Sequence, residues 1–498
     1  MTELRTQRRP AVPLLAASAA FALGAFCVLG FAPFDAWFAA YFPVWPVPTL
    51  ALGGLFLLWR RAASTRVALL LGLAWGAGCF LCGVSWVYVS LSQFGGMAPP
   101  AAAAATLLFC LYLALFPALV GALFHRWRSN TLRDALLFAG LWTLGEWLRG
   151  TLFTGFPWLA VGYSQSPPSP LAGWASVLGV YGVGFIVAMI CGLLAAGWRK
   201  PTAWVAILLL LGAGGLLRRM DWTQPVGSPI TVSLLQGNVP QSLKWDPKRL
   251  PLSVDTYLRL AREHPATLTV LPETALPLYF NEVPRDVLRG LTTHGDALIG
   301  VAVGVTDGGY TNGAVTLTKD LTPKAYAKRH LVPFGEYAPP GFAWFFRFAR
   351  IPMSNFTAGP PRQEALAVGG QRIAPNICYE DLFGEELLGA LPAATILVNL
   401  SNTAWFGDSL AQPQHLQIAR LRAIETGRVM LRATNTGMTA MVGPDGAIAA
   451  ALPPFVTAAL VVKAQGRTGL TPYARWGNLL ALLIAGGASL TALRRRRN

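Results

Sequence analysis

Long apolar runs fill the first 219 residues of the chain and then stop. Seven runs, at about 11–30, 36–59, 67–91, 101–124, 134–152, 173–197 and 202–217, have the length that crosses about 30 Å of hydrocarbon as a helix. Residues 220–470 contain no such run and carry most of the acidic groups, and an eighth run follows at about 476–493. The pattern predicts a domain of seven transmembrane helices over 1–219, an extramembrane domain over 220–472, and a last transmembrane helix with a basic tail over 473–498.

Inside the polar stretch the period changes. Ile230 to Leu235, Thr267 to Leu271, Ala297 to Val303, Asn312 to Thr318, Ile373 to Ile377 and Thr395 to Leu400 read as strands. So do 429–434, 438–443 and 458–463, while 249–263, 284–293, 380–388 and 413–427 read as helices. Strands alternating with helices predict a layered α/β unit, and about 250 residues are enough for one well-buried core.

Composition and charge sharpen this picture. The chain is 54% hydrophobic and 13% charged, too apolar for a soluble protein of 498 residues. A net charge of +17 invites a nucleic-acid partner, but its placement argues against one. Arg5, Arg8 and Arg9 precede the first run, Arg60, Arg61 and Arg66 follow the second, and Arg126, Arg128 and Arg133 follow the fourth. Arg199 and Lys200 follow the sixth, and Arg494 to Arg497 end the chain. With both termini cytoplasmic, all of these fall on the inner side, as the positive-inside bias requires, and the polar domain falls outside. Arg218 and Arg219 are the exception. The basic start followed by an apolar run also has the form of a signal peptide. The second run follows so closely that an uncleaved anchor is expected.

Five of the six cysteines lie in the apolar runs, and Cys378 alone lies in the polar domain. A single thiol on the oxidising side of a membrane is either a small buried core residue or a group with a task. Glu273, Lys328 and Cys378 each follow a strand-like run, where open α/β sheets place their chemistry. A carboxylate can take a thiol's proton, although the ordinary pKa gap of about four units makes that roughly 6 kcal/mol uphill. Burial of the carboxyl, a neighbouring ammonium and a helix starting at Glu380 would all narrow the gap. The lysine and the amides after Cys378 could also stabilise an oxyanion. Spacing alone leaves this one reading among several.

The surrounding segments say more. Leu271-Pro272-Glu273-Thr274-Ala275, Lys328-Arg329-His330-Leu331-Val332-Pro333-Phe334-Gly335-Glu336 and Ile377-Cys378-Tyr379-Glu380 resemble the three signature segments of the nitrilase superfamily. Gln236-Gly237-Asn238-Val239-Pro240-Gln241, Asn402-Thr403-Ala404-Trp405-Phe406-Gly407, Gly469-Leu470-Thr471-Pro472-Tyr473-Ala474-Arg475 and Gly155-Phe156-Pro157-Trp158 resemble one branch of it, the apolipoprotein N-acyltransferases. The resemblance implies a nitrilase-like α-β-β-α sandwich on the periplasmic face of a Gram-negative inner membrane, beside about eight transmembrane helices. It implies Glu273 as general base, Lys328 as oxyanion stabiliser and Cys378 as nucleophile. Glu336 would support them, Tyr379 and Glu380 would shape the site, and Trp245 would line it. Thr403 stands where the family usually has Asp, which puts local loop contacts in question rather than the chemistry.

The implied reaction moves a fatty acyl chain from a phospholipid, through a thioester on Cys378, to the α-amine of a lipoprotein's lipid-modified cysteine. No cofactor or metal is expected, no nucleic acid, and a monomer. Each methylene of a long chain costs about 0.8 kcal/mol to bring into water, so the thiol should sit at the bilayer surface. Phe342-Ala343-Trp344-Phe345-Phe346 reads as a lipid-contacting lid or as core packing; Trp344, Phe345, Trp405 and Phe406 are the candidate lipid contacts. A membrane-tethered amidase using water as acceptor is the competing enzyme, and a transporter or ligand-binding scaffold the competing non-enzyme.

Weaker signals read as structural. Glu146 in the fifth run is expected to pair with Arg149 three residues on, with a lipid head-group role as the alternative. Cys79 and Cys82 form a C-x-x-C without polar neighbours, and His264, His294, His330 and His415 share no ligand spacing. The glycines near 72–78 and 179–184 are expected at helix contacts.

Overall fold

The computed structural model describes residues 13–38, 41–241, 250–305, 308–341 and 355–494. Apolar helices occupy Leu14–Cys27, Val47–Arg61, Thr65–Gly83, Pro99–Trp127, Asp134–Arg149, Ala175–Gly197, Pro201–Leu217 and Leu479–Arg494. Among the described residues, three helical stretches, Thr65–Gly83, Pro99–Trp127 and Pro170–Gly197, are long and apolar enough to cross a membrane. Two runs are shorter than expected. The second divides into Phe34–Phe38 and Val47–Arg61, because Pro43 and Pro46 interrupt it, while Pro48 is tolerated in the first turn of the later helix. The third ends at Gly83 and continues as short turns over 87–94.

Close approach holds the bundle together. A methyl at Gly76 would meet Ala114 Cα at 2.7 Å, and one at Gly72 the Pro117 carbonyl at 2.4 Å, so these glycines are the helix contacts expected of them. Gly179 is different: with φ 66° and ψ −176° it breaks the helix Ala175–Gly197. Glu146 and Arg149 also depart from expectation, since they do not bond to each other. Glu146 Oε1 accepts the Val161 N–H at 2.8 Å, and Arg149 donates to the carbonyls of Phe156 (2.5 Å) and Trp158 (2.7 Å). Both side chains therefore fasten the loop 155–161 to its helix.

The polar domain is a two-sheet sandwich. The strands are β1 Gln224–Pro225, β2 Ile230–Gln236, β3 Leu268–Val270, β4 Leu276–Tyr279, β5 Asp296–Gly304, β6 Tyr310–Leu317, β7 Pro323–Ala327 and β8 Leu366–Val368. There follow β9 Gln371–Ile377, β10 Ile396–Ser401, β11 Val429–Thr434, β12 Ala440–Val442, β13 Ile448–Ala451, β14 Ala458–Ala464 and β15 Arg467–Thr468. One sheet has the order β14-β2-β3-β5-β6-β7, with β4 beside β5; the other has β13-β12-β11-β10-β9-β8. Strands β2, β3 and β5 run parallel, as do β9, β10 and β11. Val232, Leu234, Val270 and Leu298 meet Ile373, Ile377, Val398 and Leu431 between the sheets. Tyr257, Leu260, Val287 and Leu288 from the helices Leu250–Glu263 and Arg285–Leu291 cover the outer face of the first sheet. Leu416, Ala419 and Ala423 from Ala411–Thr426 cover the second. The layers are α-β-β-α.

Alternation explains what was legible and what was not. In β10, Ile396, Val398 and Leu400 point between the sheets while Leu397 points to the helix, so both faces are buried and the run stands out. The edge strands β7 and β13 are partly exposed and carry no comparable run. The helix expected over 380–388 is instead a 3₁₀ turn Cys378–Leu382 followed by the short helix Gly384–Leu387.

Gly300 in β5 lies directly under the end of β3. A Cβ there would meet the Pro272 carbonyl at 2.1 Å and Glu273 Cα at 2.7 Å. Gly300→Ala should therefore destabilise the protein by about 1–3 kcal/mol and displace Glu273; a thermal melt checks the first and a crystal structure of the variant the second.

Candidate active site

Three strand ends converge on one buried point. β3 ends three residues before Glu273, with Pro272 stopping the ladder and Thr274 at φ 44° turning the chain away. β7 ends immediately before Lys328, whose N–H donates to the Asn312 carbonyl of β6 at 2.8 Å. β9 runs straight into Cys378, which sits at φ 53°. A positive φ on a side-chain-bearing residue costs of order 1–3 kcal/mol and recurs where a group must be aimed. The first two strands belong to one sheet and the third to the other, so the site straddles the sandwich.

Lys328 is 1% exposed, and its Nζ donates to Glu336 Oε1 at 2.8 Å and lies 3.4 Å from Glu273 Oε1. Both carboxylates are buried. Glu273 Oε2 accepts the Asn402 N–H at 2.8 Å, and Glu336 Oε2 accepts the Val332 N–H at 2.8 Å. Asn312 completes the cage. Its Nδ2 gives one hydrogen to Glu273 Oε1 (2.7 Å) and one to Glu336 Oε1 (2.9 Å). The sequence reading missed Asn312. The available signal was a carboxamide side chain near the start of a strand, two residues before the apolar pair Ala314-Val315.

The surroundings set the protonation states. Burial pushes the Cys378 thiol up, the Glu273 charge adds to that, and the Lys328 charge opposes it; the net is well above the ordinary thiol value. The resting group is therefore a thiol, which is a strong nucleophile only once a base takes its proton. Burial pushes Lys328 down, but Glu336 and Glu273 more than reverse this, so it stays an ammonium.

Glu380 fixes the turn that carries the thiol. Its Oε2 accepts the Ile377 N–H at 2.6 Å, and its Oε1 accepts the N–H groups of Arg329 (2.7 Å) and His330 (3.2 Å). Tyr326 donates its hydroxyl to the same carboxylate at 2.9 Å. One side chain thus ties the strand before Cys378 to the segment after Lys328. No helix dipole faces the thiol from this turn, contrary to expectation, because a five-residue 3₁₀ turn replaces the helix. On the other side Asn399 Nδ2 donates to the Cys378 carbonyl at 3.2 Å. Asp381 bonds to His415 and Arg432 in a buried cluster behind the turn.

Tyr379 points at the helix bundle: its hydroxyl donates to the Gly155 carbonyl at 2.8 Å, and Phe156 stacks on its ring. Phe406 packs on Trp86 (4.6 Å between ring centroids), and Trp405 on Phe94 (5.9 Å), so both lie at the junction of sandwich and bundle. Thr403 donates its hydroxyl to Gln412 Oε1 at 2.6 Å, a loop contact of its own. Trp245, Trp344 and Phe345, with the rest of the 342–346 segment, lie outside the described residues.

Burial pushes the Glu380 carboxyl up to about 7 against the pull of its N–H and O–H donors. A carboxyl raised on folding contributes stability that is full below its unfolded value and lost as pH rises through the folded one. The melting midpoint should therefore fall between about pH 5 and 8 in part through Glu380. Glu380→Gln should lower the midpoint at pH 5 and flatten that dependence, as melts across the range would read.

Comparison with known proteins places these features in a family context. Residues 23–193 match the family described as "Apolipoprotein N-acyltransferase N-terminal domain", and residues 231–473 match "Carbon-nitrogen hydrolase". A curated protein of Nitrosomonas europaea is 46% identical over 96% of this chain and 98% of its own length. One of Ralstonia nicotianae is 45% identical over 99% and 96%. Both are named apolipoprotein N-acyltransferase. Among solved structures, XC1258 from Xanthomonas campestris, a CN-hydrolase superfamily protein, aligns with 48% of this chain and 91% of its own at 19% identity and TM-score 0.38.

Proposed function

The chain belongs to the apolipoprotein N-acyltransferase family, and on that basis we propose that it transfers a fatty acyl group from a phospholipid to the α-amine of a diacylglyceryl-cysteine at a lipoprotein's N-terminus, with Glu273, Lys328 and Cys378 carrying the chemistry. The observation that supports this site most directly is the cage in which Lys328 Nζ lies within 3.4 Å of Glu273 and 2.8 Å of Glu336 while all these charges act on the Cys378 thiol.

The steps follow from proton positions. Glu273 takes the thiol proton as sulfur attacks the ester carbonyl carbon. The Lys328 ammonium faces the oxyanion that forms, and Glu336 keeps that ammonium charged and in place. The C–O bond then breaks, Glu273 returns its proton to the departing alkoxide, and lysophospholipid leaves a thioester on Cys378. In the second half the lipoprotein amine attacks the thioester carbonyl, Glu273 takes the amine's proton, and sulfur leaves and is reprotonated. Every step moves protons and one acyl group, so no cofactor is called for. Glu380 sets the thiol's position, Tyr379 the distance to the bundle, and Trp405 and Phe406 belong to the lipid-facing side, where Trp245, Trp344 and Phe345 are assigned in sequence.

The apolar helices are read as eight passes, in the three-part division 1–219, 220–472 and 473–498, with the sandwich periplasmic at an inner membrane and both termini cytoplasmic. Charge at one end of the bundle supports that orientation. Arg128 donates to the Trp59 carbonyl at 2.7 Å, Arg60 to the Asn130 carbonyl at 3.0 Å, and Arg60 Nε lies 3.6 Å from Asp134. Those basic loops thus form one ordered face. Glu146 and Arg149, at the far end of the helix that Asp134 starts, meet the loop that touches Tyr379.

Incubation with phospholipid in the absence of acceptor should leave an acyl mass on Cys378 by mass spectrometry. Glu273→Gln should lower its rate of appearance by about 10²–10⁴-fold, and Cys378→Ala should abolish it. A thioester released to water as fast as to the lipoprotein amine would favour an amidase, and full lipoprotein maturation by Cys378→Ala would favour a binding scaffold.

A further inference from the structure

The break at Gly179 is not left open. The backbone amide of the next residue, Val180, donates to Glu425 Oε1 at 2.8 Å. Glu425 belongs to the helix Ala411–Thr426 of the sandwich, so a carboxylate from the polar domain caps the second half of an apolar helix. The ring of Tyr473 occupies the space where Gly179 lacks a side chain: a Cβ there would meet it at 2.3 Å.

The same carboxylate continues toward the nucleophile. Arg422 donates to Glu425 Oε1 at 2.9 Å and to the Tyr163 hydroxyl at 3.3 Å. Tyr163 in turn donates to the Leu382 carbonyl, again at 3.3 Å. Leu382 is the last residue of the turn that starts at Cys378. Glu425, Arg422, Tyr163 and Leu382 are each 2% exposed or less. A buried chain of hydrogen bonds thus leads from the helix break in the bundle to the far end of the nucleophile's turn. With Tyr379 on Gly155, the turn is bonded to bundle loops at two of its five residues.

We propose that Glu425, through Arg422 and Tyr163, is a positioning residue that sets where the Cys378 thiol stands relative to the apolar bundle, and so relative to a donor lying in the bilayer. The inference rests on the lipid-donor reading above. The plane of the membrane fixes the height of a phospholipid ester, and the bundle fixes the height of the protein in that plane. Only a firm link from bundle to thiol lets the two meet within bonding reach, and misplacement by about 1 Å can cost 10²-fold. A small soluble ester approaches from any direction and does not need the link.

Removing one partner of a buried ion pair leaves an unpaired charge, so a single alanine is the wrong probe. The double variant Arg422→Met with Glu425→Leu removes both charges at similar volume. Tyr163→Phe removes only the hydroxyl and leaves the ion pair intact. Acyl-adduct formation on Cys378 is measured from a phospholipid in mixed micelles and from p-nitrophenyl butyrate, with melting midpoints alongside. The double variant and Tyr163→Phe should lose about tenfold or more with phospholipid and stay near wild type with the soluble ester. Equal loss on both donors, or a Tyr163→Phe that uses phospholipid like wild type, would overturn the proposal. If wild type itself forms no adduct from phospholipid, the donor reading fails instead.

Discussion

A single buried ammonium organises the site. Lys328 is itself almost fully buried, and a bare charge there would cost several kcal/mol. Two carboxylates answer it, but two carboxylates around one ammonium leave a net negative charge and repel each other. Asn312 resolves this by giving a hydrogen to each. The division is unequal: Glu336 stands at 2.8 Å and Glu273 at 3.4 Å from Nζ. The closer carboxylate holds the cation, and the farther one is held by Asn312 and the Asn402 amide. The strand ends, the close approach at Gly300 and the turn at Cys378 are arranged around that requirement.

The second constraint is that the catalytic unit and the apolar helices share a core. Tyr379, Leu382, Ala411, Ile418, Leu421 and Ile424 are buried with Trp86, Trp158, Tyr163 and the residues of the helix Ala175–Gly197. Polar groups within this contact are bonded across it: Trp158 Nε1 donates to Gln414 Oε1 at 2.7 Å, and the Ala32 N–H donates to Gln417 Oε1 at 3.0 Å. One helix, Ala411–Thr426, faces the second sheet with Leu416, Ala419 and Ala423, and faces the bundle with Ile418, Leu421 and Glu425. It is buried on all sides, which is why so many of its polar residues bond to backbone or to each other rather than to water.

Much of the architecture was legible residue by residue. Runs such as Ala101 to Phe124 announced helices by length and apolarity, and the buried strands β5, β9, β10 and β11 announced themselves by β-branched content. The edge strands β7 and β13 did not, because a partly exposed strand of alternating or Ala-rich composition without a Val/Ile run has no strong signal, whereas the edge strand β14 has Leu460-Val461-Val462 and was legible. The helix expected after Cys378 failed for a local reason: Glu380 turns its carboxylate back onto the Ile377 amide, and Phe383 at φ −105°, ψ 81° leaves helical space. The Glu146–Arg149 pair failed because a loop from further along the chain offered each side chain better partners.

The sequence by itself determined the two kinds of solvent the chain meets, the layered sandwich and the residue types of the chemistry, since apolar run length, strand–helix alternation and ordered motifs are local properties. Only the tertiary structure decided which groups share one buried volume. Asn312 between the two glutamates, Glu380 across Ile377 and Arg329, and Glu425 on the broken helix all join positions that are remote in sequence or hidden in unremarkable runs. Their importance comes from burial, which makes every unpaired charge and amide costly, and burial is a property of the packed whole.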